Sequence, residues 1–204
     1  MPLMSLLLPW EVIERVIEHA IDDLDVLRSF CLTCRQLRPR SFSLILHRYV
    51  FLKGRARVSD FCDFLTENTE LRSLIKTLKI RPAEFSPIPL VQMLPHLSTL
   101  LFTGSTRSPV KLHRALLNCY HSFGKRIHTL SLKRLSFQTE SDLFRLLLAF
   151  PTMTQVTCSE ISIKPPTREG SAVNALRVKL SKQLRLETLH VRSHWLRAMW
   201  TSID

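Results

Sequence analysis

Short apolar strands recur after helical stretches from about residue 58 to the end of the chain. Helix-like segments such as SDFCDFLTEN, from Ser59, and ESDLFRLLLAF, from Glu140, alternate with strand-like segments such as IHTLSL, from Ile127. Alternating helices and strands with short links predict right-handed crossovers and a parallel sheet. We therefore expect an α/β fold over this part of the chain.

The spacing of the predicted strands is irregular. The central apolar residues of the strands are separated by 22, 30, 26 and 33 residues, close to the period of roughly 20 to 29 residues in leucine-rich repeats. Stacked units of this kind form a short solenoid with parallel strands on its concave side. The alternative is an ordinary compact α/β domain. The aligned residues are Leu78, Leu100, Leu130, Val156 and Leu189.

The first 50 residues predict three short helices, and residues 51–204 form the α/β region. Proline at the start of a helix and short polar caps mark the expected helix starts. A helical unit of this size buries little surface by itself, so it should pack on its neighbour. The candidate start signals are Pro9, Asp22 or Asp23, Pro39, Ser59, Ser108 with Pro109, and Ser141.

The C-terminal segment SHWLRAMWTSID places Trp195, Leu196, Met199 and Trp200 on one helical face. A further strand should follow, and solenoids normally end in a cap with a polar outer face. No such cap is visible in the sequence. We therefore expect the α/β region to be truncated at its C-terminus relative to its relatives.

The first predicted helix, within LPWEVIERVIEHA from Leu8, has an unusually broad apolar face. That face covers roughly half of the helix circumference, whereas one packing contact needs about 100°. The breadth predicts two packing partners for one helix. The apolar residues on this face are Trp10, Val12, Ile13, Val16, Ile17 and Ala20.

Residues 8–46 resemble the F-box motif, in a version similar to that of fungal F-box proteins with leucine-rich-like repeats. The chain has Leu37 where the family usually carries a tryptophan, and Trp10 where a second proline is common. The matching positions are Leu8, Pro9, Glu11, Ile13, Ile17, Leu27 and the segment CLTCRQLR from Cys31 to Arg38.

The resemblance implies that the helical unit docks on the Skp-type adaptor of a cullin-RING ubiquitin ligase, while the repeats hold a substrate protein. We expect a non-enzymatic adaptor that contributes proximity, with no catalytic residue, metal or cofactor. By the family's pattern, the adaptor contacts are Leu8, Pro9, Val12, Ile13, Ile17, Leu27 and Leu32. Outward-facing candidates for contact with the substrate are Lys79, Arg81, Ser131 and Lys133.

The net charge of +12 is unevenly distributed. Residues 1–30 carry a local charge of −4, and residues 31–58 contain seven Lys or Arg and no acid. A cationic surface favours an acidic or phosphorylated client. It also keeps two alternatives open, a basic nucleic-acid-binding protein and a repeat-only interaction scaffold.

Sequence motifs for catalysis and metal binding are weak or missing. Cys31 and Cys34 form a C-x-x-C pair, but the nearest His-x-x-x-His lies at His190 and His194, whereas structural zinc needs four ligands. The four glycines are far apart, so no phosphate-binding loop can be formed. Five scattered cysteines, no signal peptide and no long apolar run favour a cytoplasmic or nuclear protein with reduced, mostly buried thiols.

Overall fold

The computed structural model describes residues 8–81, 88–104, 109–110, 114–163 and 170–192. Within these residues the chain has an α/β fold with a six-stranded parallel sheet, as the alternating pattern predicts. A layer of helices follows the sheet from strand to strand. A group of short helices comes before it.

Three helices and a short 3-10 turn form the N-terminal part of the described chain. They are α1 (Trp10–His19), the turn Ala20–Asp22, α2 (Leu24–Thr33) and α3 (Arg38–Arg48). Pro9 lies immediately before α1 rather than inside its first turn. Of the two candidate caps, Asp23 caps α2, because its carboxylate accepts hydrogen bonds from the backbone N–H groups of Asp25 and Val26.

The six strands of the main sheet follow one another across the sheet in chain order. They are β1 (Val50–Phe51), β2 (Thr77–Ile80), β3 (Thr99–Thr103), β4 (Thr129–Lys133), β6 (Gln155–Ser159) and β8 (Thr188–Arg192). The predicted alignment is the observed register, since Leu78, Leu100, Leu130, Val156 and Leu189 are paired in turn. The short strand β1 has no counterpart in the sequence prediction.

The helices between the strands pack side by side in the same order. They are α4 (Arg55–Glu67), α5 (Ile88–Met93), α6 (Arg114–Gly124), α7 (Glu140–Leu148) and α8 (Gly170–Gln183), and each contacts the next. Side chains alternate between the two faces of a strand. Alternate strand residues such as Leu78, Ile80, Leu130 and Leu132 are buried in the main apolar core.

A second, two-stranded sheet lies beyond the carboxyl ends of the main strands. Its strands are β5 (Ser136–Phe137) and β7 (Ser162–Ile163), which pair in parallel. Arg134 and Glu160 precede them with positive φ values of 53° and 55°. The two residues turn the chain in the same way, one after β4 and the other after β6. These turns were not predicted from the sequence.

Besides Pro9, three predicted helix starts differ from the structure. Ser59 lies inside α4, and Ser141 is buried inside α7, whose cap is Thr139. Pro109 forms an isolated bridge with Ser136, so it is extended and is not part of a first helical turn; Ser108 lies outside the described residues. Polar residues recur along these helices, and the sequence cannot tell which one lies at the end.

Of three other sequence predictions, one is confirmed, one lies outside the described residues and one is wrong. Pro39 lies in the first turn of α3, as predicted. The C-terminal aromatic segment, from Trp195 to Trp200, lies outside the described residues. All five thiols are free. The expectation that they are mostly buried is wrong, because only Cys158 is buried and Cys34 is exposed.

Candidate functional site

The first helix exposes one aliphatic stripe and buries the side chain of Ile17. Leu8, Val12 and Val16 follow one another at intervals of four residues, which places them along one side of the helix and the turn before it. Leu8 is 61% exposed and Val16 is 52% exposed. Ile17 is 1% exposed and closes the helical unit. We call Leu8, Val12 and Val16 the α1 stripe.

Polar contacts hold α1 and the 3-10 turn against α3. Arg40 on α3 pairs with the carboxylate of Glu18 on α1. Arg48 donates hydrogen bonds to the carbonyl oxygens of Ile21, at 3.0 Å, and of Asp22. These contacts link α1 and the turn Ala20–Asp22 to α3, and they leave the α1 stripe open to solvent.

The seven residues expected to contact the adaptor differ in burial and fall into three groups. Ile17 and Leu27 are almost completely buried inside the chain, so their structural role is to pack the three helices together. Ile13 is half-buried. The residues that a partner could contact without rearrangement are Leu8, Pro9, Val12 and Leu32, which are exposed, Leu32 to 87%.

The prediction of contacts left out Val16 and Val26, two exposed valines on α1 and α2. The signal for Val16 was present, because it continues the four-residue spacing that begins at Leu8 and Val12. Val26 carried no comparable signal. It is next to the buried Leu27, and only the position of α3 decides which of the two is covered.

The face of the main sheet opposite the helices is polar and basic. We call it the open face. Phe51, Lys79, Leu101, Ser131, Thr157 and His190 form one row across it through the parallel register. Lys133 lies two residues beyond Ser131 on β4, in the next row of the same face, and is exposed. Lys79 and Ser131 are half-buried. Of the predicted client contacts, Lys79 and Ser131 therefore share a row.

Lys79 lies above two aromatic rings at one edge of the open face. Its Nζ atom is 4.9 Å from the ring centre of Phe51 and 5.7 Å from that of Tyr49. Cation–π contacts of this kind hold an ammonium group in place and leave its N–H donors available. The charge of Lys79 is therefore fixed on the open face.

The basic segment 31–58 is only partly neutralised. Arg40 and Arg48 form the ion pairs and hydrogen bonds that hold α1 and the turn. The other basic side chains of this segment are exposed, namely Arg35, Arg38, Lys53, Arg55 and Arg57. At least two of the seven cations therefore have a structural role. The number of basic residues in this segment overstates the positive charge that is free to contact a partner.

Burial disfavours ionisation of three of the thiols, since it raises the pKa of Cys31, Cys62 and Cys158. Burial raises the pKa of Cys158 to about 12. Burial also raises the pKa of Cys31, against an opposing effect of Arg38. Among the residues that the structure describes, no three His, Cys, Asp or Glu side chains are grouped as a metal site would require. Cys31 and Cys34 thus have no further ligands among those residues.

No family model, no curated protein and no solved structure matches this chain. Among the described helices, none has both the length and the apolar character that are needed to cross a bilayer.

Proposed function

We propose that this protein is a substrate-recognition adaptor of a Skp–cullin–F-box type ubiquitin ligase, acting in the cytoplasm or nucleus without catalysis of its own. The observation that carries the proposal is the exposed α1 stripe beside the buried Ile17. The helix has more apolar surface than its own fold covers. A second protein that packs on Leu8, Val12 and Val16 would remove that surface from water.

The size of the stripe supports a role in binding. Complete burial of an aliphatic side chain contributes about 1.5 to 3 kcal/mol, and a few such side chains usually dominate an interface. Leu32 on α2 supplies a further, still more exposed side chain. Exposed leucines and valines on helices near the chain start fit the docking of a Skp-type adaptor, as the resemblance to the F-box motif implies.

The α/β region is interpreted as a short, irregular leucine-rich-repeat-like solenoid that holds the substrate. The order of the strands across the sheet equals their order in the chain, and the helices pack in the same order. Both are properties of stacked repeats. The turns at Arg134 and Glu160, which have nearly equal φ values, favour repeated units over an unrelated α/β domain.

Co-purification with a Skp-type adaptor tests the proposal. The full chain should bind the adaptor, and the double variant Val12→Asp with Val16→Asp should lose that binding, because two carboxylates would have to be buried in an apolar contact. Val178→Asp on α8 is the matched control, since Val178 is an equally exposed valine, at 53%, outside the helical unit. This control should bind like the wild type.

Two results would exclude the proposal in favour of its alternatives. If the wild type does not bind the adaptor but binds RNA or DNA with steep salt dependence, the chain is a basic nucleic-acid-binding protein. If it binds neither, the repeat-only scaffold is the better description. Unchanged adaptor binding in the Val12→Asp, Val16→Asp variant would also contradict the assigned surface.

A further inference from the structure

The open face of the sheet contains no carboxylate among its described strand residues. None of the eight described strands, β1 to β8, includes an Asp or Glu. The open face instead presents hydroxyl groups, such as those of Thr99 and Thr157, together with the ammonium groups of Lys79 and Lys133. A surface with donors and cations and without carboxylates is complementary to a negatively charged partner.

Two lysines lie on the half of the open face formed by β1 to β4, and Arg192 on β8 has the same register position as Lys133. Lys79 is on β2 and Lys133 is at the end of β4. The nearest acids along the chain, Glu160 and Glu187, lie outside the strands and border β6 and β8. The described strands of the β1–β4 half contain no carboxylate of their own that could neutralise Lys79 or Lys133.

The two lysines are too far apart to bind one phosphate group together. They lie on strands separated by β3, and two strand spacings correspond to about 10 Å. Lys133 also lies one row nearer the carboxyl ends of the strands than Lys79. Cations distributed in this way match several carboxylates along an extended segment, whereas a phosphate site needs donors that converge on one group.

The aromatic side chains of the strands argue against a nucleic-acid surface. Phe51 is exposed, but Phe102 and Phe137 are buried in the core. The ring of Phe51 is already in contact with Lys79. Single-stranded nucleic acids are usually bound on several aromatic side chains that stack on successive bases, and the described strands offer one.

The geometry points to an extended acidic segment of a partner protein, rich in Asp and Glu, as the ligand of the β1–β4 half of the open face. Its carboxylates pair with Lys79 and Lys133, and its backbone and side chains accept hydrogen bonds from the threonine and serine hydroxyls between them. Only the role of this partner as a ligase substrate rests on the proposed function. The binding itself does not.

Fluorescence anisotropy with a labelled peptide tests this inference. The probe is a peptide of about 10 residues with alternating Glu and Ser, long enough to cross the strands at about 3.3 Å per residue. The wild type should bind it, with affinity that falls as salt is added, and the Gln–Ser peptide should not bind. Lys79→Glu with Lys133→Glu should weaken binding at least tenfold.

A matched charge reversal provides the control. Lys179→Glu with Lys182→Glu changes the net charge equally on α8, where both lysines are exposed, and should change the affinity less than twofold. The neutral pair Lys79→Gln with Lys133→Gln should fall between the wild type and the reversal at the open face. Circular dichroism of each variant checks that it is folded.

Several outcomes would overturn the inference. Equal losses of affinity in the two charge-reversal variants would show that the peptide is attracted by the net charge of the protein alone. Tighter binding of a peptide with a single phosphoserine, or of an RNA oligonucleotide, with the same dependence on Lys79 and Lys133, would assign the face to another ligand. The peptide experiment contains no Skp-type adaptor, so its failure is distinct from failure of the proposed function.

Discussion

Arg40 on α3 forms an ion pair with Glu18 on α1, although 22 residues separate them in the sequence. Beside Glu18, Ile17 is buried and Val16 is exposed. The same helix therefore has one side attached to its own fold and another side that is free to contact a partner. This division is the structural basis of the proposed function.

Replacement of Leu8 and Pro9 by alanine, at the start of the α1 stripe, should weaken adaptor binding. We expect Leu8→Ala with Pro9→Ala to raise the dissociation constant at least tenfold, equivalent to about 1.4 kcal/mol, because an exposed leucine is removed from the contact. Isothermal titration with the purified Skp-type adaptor measures the change. Wild-type affinity should change little with added salt, since the contact is apolar, and Val178→Ala should leave it unaltered.

Removal of the α2 cap should reduce stability. Asp23 accepts hydrogen bonds of 3.0 Å from the N–H groups of Asp25 and Val26, and loss of such a cap costs about 1 kcal/mol. We expect Asp23→Ala to lower the free energy of unfolding in urea by that amount. Asp22→Ala is the control, because the exposed Asp22 carboxylate is 4.0 Å from Arg48. Equal losses in the two variants would contradict the assigned cap.

A methyl group at Gly124 should be strongly destabilising. A Cβ atom there would overlap the backbone carbonyl of Ala149, and the Gly124 carbonyl also accepts a hydrogen bond from Thr152 at 3.1 Å. Because a backbone group cannot move aside as a flexible side chain does, we expect Gly124→Ala to cost about 3 kcal/mol. Thermal and urea unfolding measure this. Ser122→Ala, on the exposed side of α6, should remain within about 0.5 kcal/mol of wild type.

The buried thiol of Cys158 should make stability depend on alkaline pH. Its pKa is raised from 9.0 to about 12 by burial. Between these values the unfolded thiol ionises while the folded one keeps its proton, so the contribution is complete below pH 9 and is lost as pH rises towards 12. One such group lowers the unfolding free energy by up to about 1.4 kcal/mol per pH unit.

Urea unfolding at about pH 8 to 10.5 tests the linkage. The decrease should be shallower in Cys158→Ala than in the wild type, and Cys34→Ala should behave like the wild type because that thiol is already exposed. Burial raises the pKa of Tyr120 as well, so some dependence on pH should persist in Cys158→Ala. Identical slopes for Cys158→Ala and wild type would show that Cys158 is not the group responsible.

The local sequence determined the helix–strand alternation and the register of the sheet. Strands of alternating apolar residues can bury only one face, so the apolar positions Leu78, Leu100, Leu130, Val156 and Leu189 define the pairing that the structure shows. A cap of α2 at Asp22 or Asp23 and the start of α3 at Pro39 were predictable for a similar reason, and the structure selects Asp23. Each depends on hydrogen bonds or steric limits within one turn.

Only the tertiary structure decided which apolar side chains are covered. Ile17 and Val16 are neighbours on the same broad face of α1, and Leu27 and Leu32 were both predicted to contact the adaptor. The structure buries Ile17 and Leu27 and exposes Val16 and Leu32. Burial depends on where α3 and the other helices pack, through contacts between residues distant in the sequence, and a periodic pattern within one helix contains no information about those contacts.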